Sequence, residues 1–319
     1  MSQDPYLFIV GCARSGTTLL RRIIDAHPHI AIMPPIHWIV SFRKRDARQT
    51  AGGIVTKETL YALLEHRRFP QLEVSRAEFE GLIGPDETLS YADFLARIFG
   101  LYAQVKGKSL VGNKTPVYVR RISTLHMLWP KARFVHLIRD GRDVCLSVMN
   151  WEKAAPTVGR YTTWTEDPVS TIALWWKQKV RQGREAGSSL GPELYYEIRY
   201  ESLVTNPAEE SKALCAFLAL PHDDAMLRFY EGRTKTEPDL DADHPWLPIT
   251  PGLRDWRTQM AAEDVERFEA AAGDLLDELS YSRAVPRPKP EAQKHASLIY
   301  DMFTQDARFR GGHLLPKDW

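Results

Sequence analysis

Residues Tyr6–Pro28 read YLFIVGCARSGTTLLRRIIDAHP, and the fold turns on how this stretch divides. Tyr6 to Val10 is a continuous apolar run, the pattern of a parallel strand buried on both faces. Thr17 to Ala26 carries apolar residues at helical spacing. Between them, Gly11-Cys12-Ala13-Arg14-Ser15-Gly16-Thr17-Thr18 has the G-x-x-x-x-G-T-T form of an anion-binding loop joining strand to helix. Backbone N–H groups of such a loop, with the positive end of the helix, cradle a phosphate-like group. A nucleoside triphosphatase loop places Lys where Thr17 stands. Here Arg14 projects from inside the loop instead, and its planar fork suits oxyanions. The loop therefore predicts a phosphate-like ligand without Mg²⁺-triphosphate chemistry; the plainer alternative is a glycine turn opening a helix.

Working outward, Ile30 to Met33 predicts a second short strand, stopped by Pro34-Pro35. Residues from about 56 to 102 read as helices with polar loops. Ser109 to Gly112 is a further apolar run, followed by Asn113-Lys114-Thr115-Pro116 and a helix over Val117–Leu128. Arg133 to Ile138 (RFVHLI) is the second central strand, running into Arg139-Asp140-Gly141-Arg142-Asp143 and a helix. Val169 to Gln182 reads as helix, and Leu194 to Tyr200 alternates like a strand. Asn206-Pro207-Ala208-Glu209 has a helix-start pattern, with Asn as cap and Pro at the first helical position. Strands alternating with helices predict an α/β fold with a central parallel sheet flanked by helices. One domain is expected over 1–285, with a helical insertion at about 39–108 and a proline-rich lid loop at about 233–251. Residues 286–319 read as a C-terminal extension. In such sheets ligands bind beyond the carboxyl ends of the strands. The residues just after the strands are therefore the candidates.

The chain has 319 residues, 44% hydrophobic and 26% charged, enough to bury a real core. Lys plus Arg is 42 against 41 for Asp plus Glu, a formal net charge of +1. That balance argues against nucleic acid as a partner but leaves room for a local basic pocket. Cys12, Cys145 and Cys215 are too few and too scattered for a disulfide framework or a zinc site, so a reducing compartment is expected. The N-terminus lacks the pattern of a signal peptide, and no apolar run is long enough to span a membrane. The expected location is cytoplasmic.

FIVGCARSGTTLLRRIIDAHP resembles the 5′-phosphosulfate loop of the sulfotransferase family, closest to its tyrosylprotein-sulfotransferase-like branch. The resemblance implies the P-loop-like sulfotransferase fold. It implies that Arg14, Ser15, Gly16, Thr17 and Thr18 hold the phosphosulfate of 3′-phosphoadenylyl sulfate (PAPS), with 3′,5′-ADP (PAP) as product. Phe134 to Ser147 is similar to the family's 3′-phosphate motif, which puts Arg139 and Ser147 on that phosphate. For Arg142 and Asp143 surface or intrahelical charge pairing is expected. Asn113-Lys114-Thr115-Pro116 resembles the family segment whose Lys points at the sulfuryl group, so Lys114 would stabilise the leaving oxygen. Arg199-Tyr200-Glu201-Ser202-Leu203 implies Tyr200 on the purine or ribose side. Gly252-Leu253-Arg254-Asp255-Trp256 lies where the family closes a basic loop over the nucleotide, which implies Arg254.

The acceptor's base departs from that branch. Where the branch has a Glu after the second strand, this chain has Pro35, and His37 is the nearest titratable group. A histidine is a sound general base near neutral pH. His136, inside a strand, and His244, in the proline-rich loop, are its rivals. The expected activity is in-line sulfuryl transfer from PAPS, without metal, to a hydroxyl or amine of a small molecule, glycan, lipid or peptide. The alternatives are a kinase-like P-loop enzyme and an inactive nucleotide-binding protein.

Overall fold

The structure is a computed structural model, describing residues 6–35, 39, 54–55, 57–66, 69–84, 87, 89–231, 248–250, 252 and 254–306. In chain order the elements are β1 Leu7–Gly11, α1 Thr17–Asp25, β2 Ile30–Met33, β3 Ile54–Val55, α2 Lys57–Leu64, α3 Arg76–Glu80, β4 Leu89–Ser90, α4 Tyr91–Lys106, β5 Leu110–Lys114 and α5 Ile122–Leu128. There follow β6 Arg133–Ile138, α6 Gly141–Met149, α7 Pro168–Ser188, β7 Tyr195–Arg199, α8 Tyr200–Thr205, α9 Pro207–Leu218, α10 Trp256–Gln259, α11 Ala262–Glu278 and α12 Pro290–Gln305.

Five strands form one parallel sheet in the order β2-β5-β1-β6-β7, flanked by helices. β1 reads as a continuous apolar run because both its faces are covered. Leu7 and Ile9 join Leu20, Ile23 and Ile24 of α1, while Phe8 and Val10 face Phe99, Trp129 and Phe134 in a second cluster. Crossing from β5 to β6 passes over β1, so the carboxyl ends of β5, β1 and β6 lie side by side. This order brings the three loops with motifs to one edge of the sheet, where anions bind in such folds.

Several local expectations shift. Asn113 and Lys114 belong to β5 rather than to the loop after it. Val117–Leu128 is not one helix: a tight 3₁₀ turn spans Pro116–Arg121 before α5 begins. The strand expected to end at Tyr200 stops at Arg199, and Tyr200 opens α8. Asn206 does stand at the cap of α9 before Pro207, but its side chain makes no capping bond. Its amide donates to the Thr205 hydroxyl instead (3.2 Å).

Beyond the linker at 286–289, α12 packs against α7 and α11, burying Ala296, Ile299 and Phe303. Phe303 stacks on Tyr161 with centroids 4.3 Å apart. His295 Nε2 lies 3.0 Å from Asp167, whose carboxylate also accepts from the Ser170 N–H (2.9 Å) and so caps α7. Asp306 accepts from the Thr162 N–H at 2.9 Å. No helix among the described residues is long and apolar enough to cross a membrane.

Candidate functional site

The turn after β1 is built for close approach. Gly16 takes φ +96°, and a Cβ there would sit 2.5 Å from the Tyr200 ring. Arg14 takes φ +70°, a left-handed conformation uncommon for a residue with a side chain. Such strain persists where the surroundings over-determine it, and here they do. Arg14 Nε donates to Ser147 Oγ at 2.9 Å, and the guanidinium lies over the Trp151 ring, 5.6 Å from its centroid. α1 has no side-chain cap and no acidic residue in its first turn. Its first N–H groups thus keep the positive helix end open to an anion. Ser15 is 1% exposed, and its Oγ has no partner.

The neighbouring strand ends converge on this turn. Lys114, buried at the end of β5, donates through Nζ to Thr18 Oγ1 at 3.2 Å. Beside it, the Asn113 amide donates to the Pro34 carbonyl (2.9 Å) and the Thr115 hydroxyl to Asn113 Oδ1 (2.7 Å), which fixes the end of β5 against that of β2. Arg139, at the end of β6, is buried over the Tyr200 ring at 4.1 Å, with its Nε unpartnered. Buried donors without an internal partner call for an explanation, and an incoming anion supplies one. Arg254 lies near enough for its charge to act on the Tyr200 phenol, which burial holds above its usual range.

The Arg139–Arg142 turn is held from four sides. Trp176 Nε1 donates to the Arg139 carbonyl (3.1 Å), and Glu201 accepts from the Asp140 N–H (2.9 Å). Asp140 caps α6 through the Arg142 N–H (2.9 Å), and the edges of Trp176 and Phe268 lie where a Gly141 side chain would go. Arg142 is not a surface residue, as its charge suggested. It is fully buried, paired with Asp140 at 2.7 Å and Glu269 at 2.5 Å, and stacked on Trp256 at 3.6 Å. Two carboxylates and an aromatic face offset its desolvation.

Asp143 pairs not within α6 but with Arg139, in the turn that precedes the helix, at 3.7 Å, and it accepts from the Trp256 N–H at 2.9 Å. Burial nevertheless pushes its carboxyl up to about 6; Arg139 and that N–H pull it down, and the charges of Asp140 and Glu201 add to the rise. The folded protein therefore keeps this proton at pH values where the unfolded chain has lost it. The sign follows: the contribution is full below about pH 4 and is lost as pH rises through about 6, by about 2 kcal/mol. Urea unfolding between pH 4 and 7 should show this decline in the wild type and lose it in Asp143→Asn. Equal pH profiles would remove the assignment.

The structure thus brings together Arg14, Ser15, Gly16, Thr18, Lys114, Arg139, Ser147 and Tyr200, with Thr17 buried in the first turn of α1 and Arg254 nearby. His37 and His244 lie outside the described residues, as does most of the loop at 233–251. His136 is a core residue of β6, bonded to the Tyr195 hydroxyl (2.6 Å) and held by burial well below the usual imidazole range, at about 3. Pro35 is buried just after β2, so no carboxylate stands there. Sequence reasoning gave no role to Glu201, although it lies next to Tyr200. Its carboxylate also accepts from the Tyr281 hydroxyl (2.9 Å), and only the fold shows that partner. Among the described residues no cluster of three or more His, Cys, Asp or Glu has the form of a metal site.

A family model described as "Sulfotransferase family" matches residues 5–224. The protein-tyrosine sulfotransferase of Drosophila melanogaster is 25% identical over 312 residues, 90% of this chain and 54% of that protein. The chain thus spans about half the length of that relative. The omega-hydroxy-beta-dihydromenaquinone-9 sulfotransferase of Mycobacterium tuberculosis is 25% identical over 323 residues, 89% of this chain and 77% of that one. Among solved structures, the sulfotransferase domain of the Synechococcus PCC 7002 olefin synthase superposes with a TM-score of 0.59 at 22% identity, over 88% of this chain and 95% of that one. That likeness bears on the fold alone. With a family match across all five strands of the parallel sheet and across all three strand-end motifs, the chain belongs to the sulfotransferase family.

Proposed function

We propose that this protein moves the sulfuryl group of PAPS to a hydroxyl, or an amine, of its acceptor by in-line displacement. The observation that carries the reading is the meeting of three strand ends through Arg14 with Ser147 and Lys114 with Thr18. The donor set fits a nucleotide with anionic groups at both its 5′ and 3′ positions: Ser15 Oγ and Arg139 Nε are buried donors without partners, and the first turn of α1 carries no competing acid. In this reading Arg139 and Ser147 hold the 3′-phosphate, and Tyr200, whose ring already carries the Arg139 guanidinium, flanks the nucleoside. Arg254 closes over it. The loop amides, with Ser15, Thr17 and Thr18, hold the 5′-phosphosulfate.

Arg14 and Lys114 neutralise the charge that grows on the bridging oxygen as its bond to sulfur breaks. The acceptor oxygen forms the new bond to sulfur, and the electron pair of the old one leaves with PAP. His37 is the proposed base that takes the acceptor's proton. The cations and helix end supply the charge stabilisation, so no metal is invoked. The acceptor is a hydroxyl compound of unassigned class, whether small molecule, glycan, lipid or peptide. The relatives' names cover both a protein tyrosine and a menaquinone derivative, and Pro35 in place of a carboxylate weighs against peptide tyrosine. Three free, buried thiols support a reducing, cytoplasmic setting.

Calorimetric titration with PAP, then with ATP, tests the reading: PAP should bind and ATP should not compete. Transfer of label from radiolabelled PAPS to hydroxyl acceptors should persist in excess EDTA. Loss in EDTA with recovery on added Mg²⁺ would overturn the metal-free step. Binding of ATP in preference to PAP would overturn the donor.

A further inference from the structure

Parallel pairing of β6 with β7 runs to Ile138 opposite Arg199. Counting on in that register sets Arg139 against Tyr200 and Asp140 against Glu201. Beyond Arg199, however, the chain winds into α8. The Asp140 N–H finds a side-chain acceptor in place of a neighbouring strand: Glu201 Oε1, at 2.9 Å. The peptide unit between Arg139 and Asp140 is thereby held at both ends by side chains, because Trp176 Nε1 donates to its carbonyl at 3.1 Å.

Two links therefore join Arg139-Asp140 to Tyr200-Glu201. One is the guanidinium over the Tyr200 ring, 4.1 Å from its centroid; the other is the carboxylate on the amide. A stack alone lets a guanidinium slide and pivot. Fixing the peptide that follows Arg139 limits this, since the side chain swings from that backbone. The ring is backed in turn against Gly16, where a Cβ would lie 2.5 Å from it.

The carboxylate is itself anchored. Its Oε2 accepts from the Tyr281 hydroxyl at 2.9 Å, in the turn after α11. Burial, with the Glu201 charge adding to it, holds this phenol above its usual range, so it stays a donor. Both oxygens are thus engaged by neutral donors. The Arg139 Nε is left without a partner, and Asp143 meets the guanidinium only at 3.7 Å, beyond hydrogen-bond reach. A carboxylate bonded to the guanidinium would compete with an incoming phosphate; one bonded to the adjoining amide aims it.

We propose that Glu201 is a positioning residue: by gripping the Arg139–Asp140 peptide it aims the Arg139 guanidinium at the 3′-phosphate, and so sets the preference for a 3′-phosphorylated nucleotide over its 3′-hydroxyl counterpart. The role rests on the sulfotransfer reading, which puts Arg139 on that phosphate.

The test is calorimetric affinity for PAP and for adenosine 5′-monophosphate (AMP), which lacks the 3′-phosphate, in wild type, Glu201→Ala, Glu201→Gln and Tyr281→Phe. Wild type should prefer PAP. Glu201→Ala should weaken PAP about 10-fold, the scale of one charge-assisted hydrogen bond, and AMP by less than about twofold. Turnover should split the same way: KM for PAPS rises by the PAP factor while kcat holds, since the 3′-phosphate is gripped alike in ground and transition states. Glu201→Gln keeps an acceptor for the Asp140 N–H and should restore most of the preference. Should alanine prevent folding, Tyr281→Phe decides, with about a threefold loss for PAP, the low end for an ordinary hydrogen bond, and none for AMP. Equal losses of PAP and AMP, with kcat falling too, would mark a merely structural role and overturn the proposal. So would a Glu201→Ala protein that keeps the wild-type ratio of PAP to AMP affinity. A wild type without preference for PAP overturns the donor reading, and this role with it, before any variant is compared.

Discussion

Arg14→Ala is expected to lower kcat at least about 100-fold, the scale for removing one preorganised donor at the position where charge develops. The expectation rests on how the residue is held. A left-handed backbone at a non-glycine residue, the bond to Ser147 and the Trp151 face fix the guanidinium before any ligand arrives. Its orientation therefore needs no reorganisation during the reaction. Arg14→Gly separates the two contributions: it relieves the backbone strain yet removes the guanidinium, and it should be as slow as alanine. Arg14→Lys should recover part of the rate, since an ammonium carries the charge without the planar fork. Lys114→Ala should cost about as much, roughly 100-fold, with PAP still bound. The double variant should lose less than the product of the two, because both cations serve one developing charge. Wild-type turnover in both single variants would remove these residues from the mechanism.

What could be read from sequence was what is local. The β1 loop and α1 are contiguous, and so is the run from β6 into Arg139-Asp140-Gly141; their spacing alone carries strand, turn and helix start. The parallel sheet follows from alternation of strands and helices. Contacts between distant segments were not legible. Tyr200 finds its place against Gly16 and Arg139 because β7 ends one residue early and α8 turns the ring back over the loop. Lys114 is part of a strand because β5 pairs with β1 as far as that residue, against Ile9. Arg142 looked like a surface charge because its partner Glu269 is 127 positions away, on a helix outside the matched family region.

That distant partner carries the second large effect, this time on stability. Glu269→Ala should destabilise the fold by about 3–5 kcal/mol, the range for removing one member of a buried ion pair. Glu269 is 1% exposed and accepts from the Arg142 guanidinium at 2.5 Å, the Ala284 N–H at 2.9 Å and the Val285 N–H at 2.8 Å. Removing it strands three donors at once, and each unmade bond in the interior carries its own desolvation penalty. Asp140 still holds Arg142 through Nε and Nη2, so the variant should unfold at lower urea rather than fail to fold. Glu269→Gln keeps one acceptor oxygen but replaces the other by a donor, and should fall between. The damage should also reach the nucleotide site. Arg142 lies under Trp256, whose N–H bonds to Asp143, and Asp143 pairs with Arg139. PAP affinity in Glu269→Ala should therefore weaken at temperatures well below unfolding. A loss under about 1 kcal/mol, the size of an ordinary surface ion pair, would mean that the cluster contributes little and that Asp140 alone suffices to bury this guanidinium.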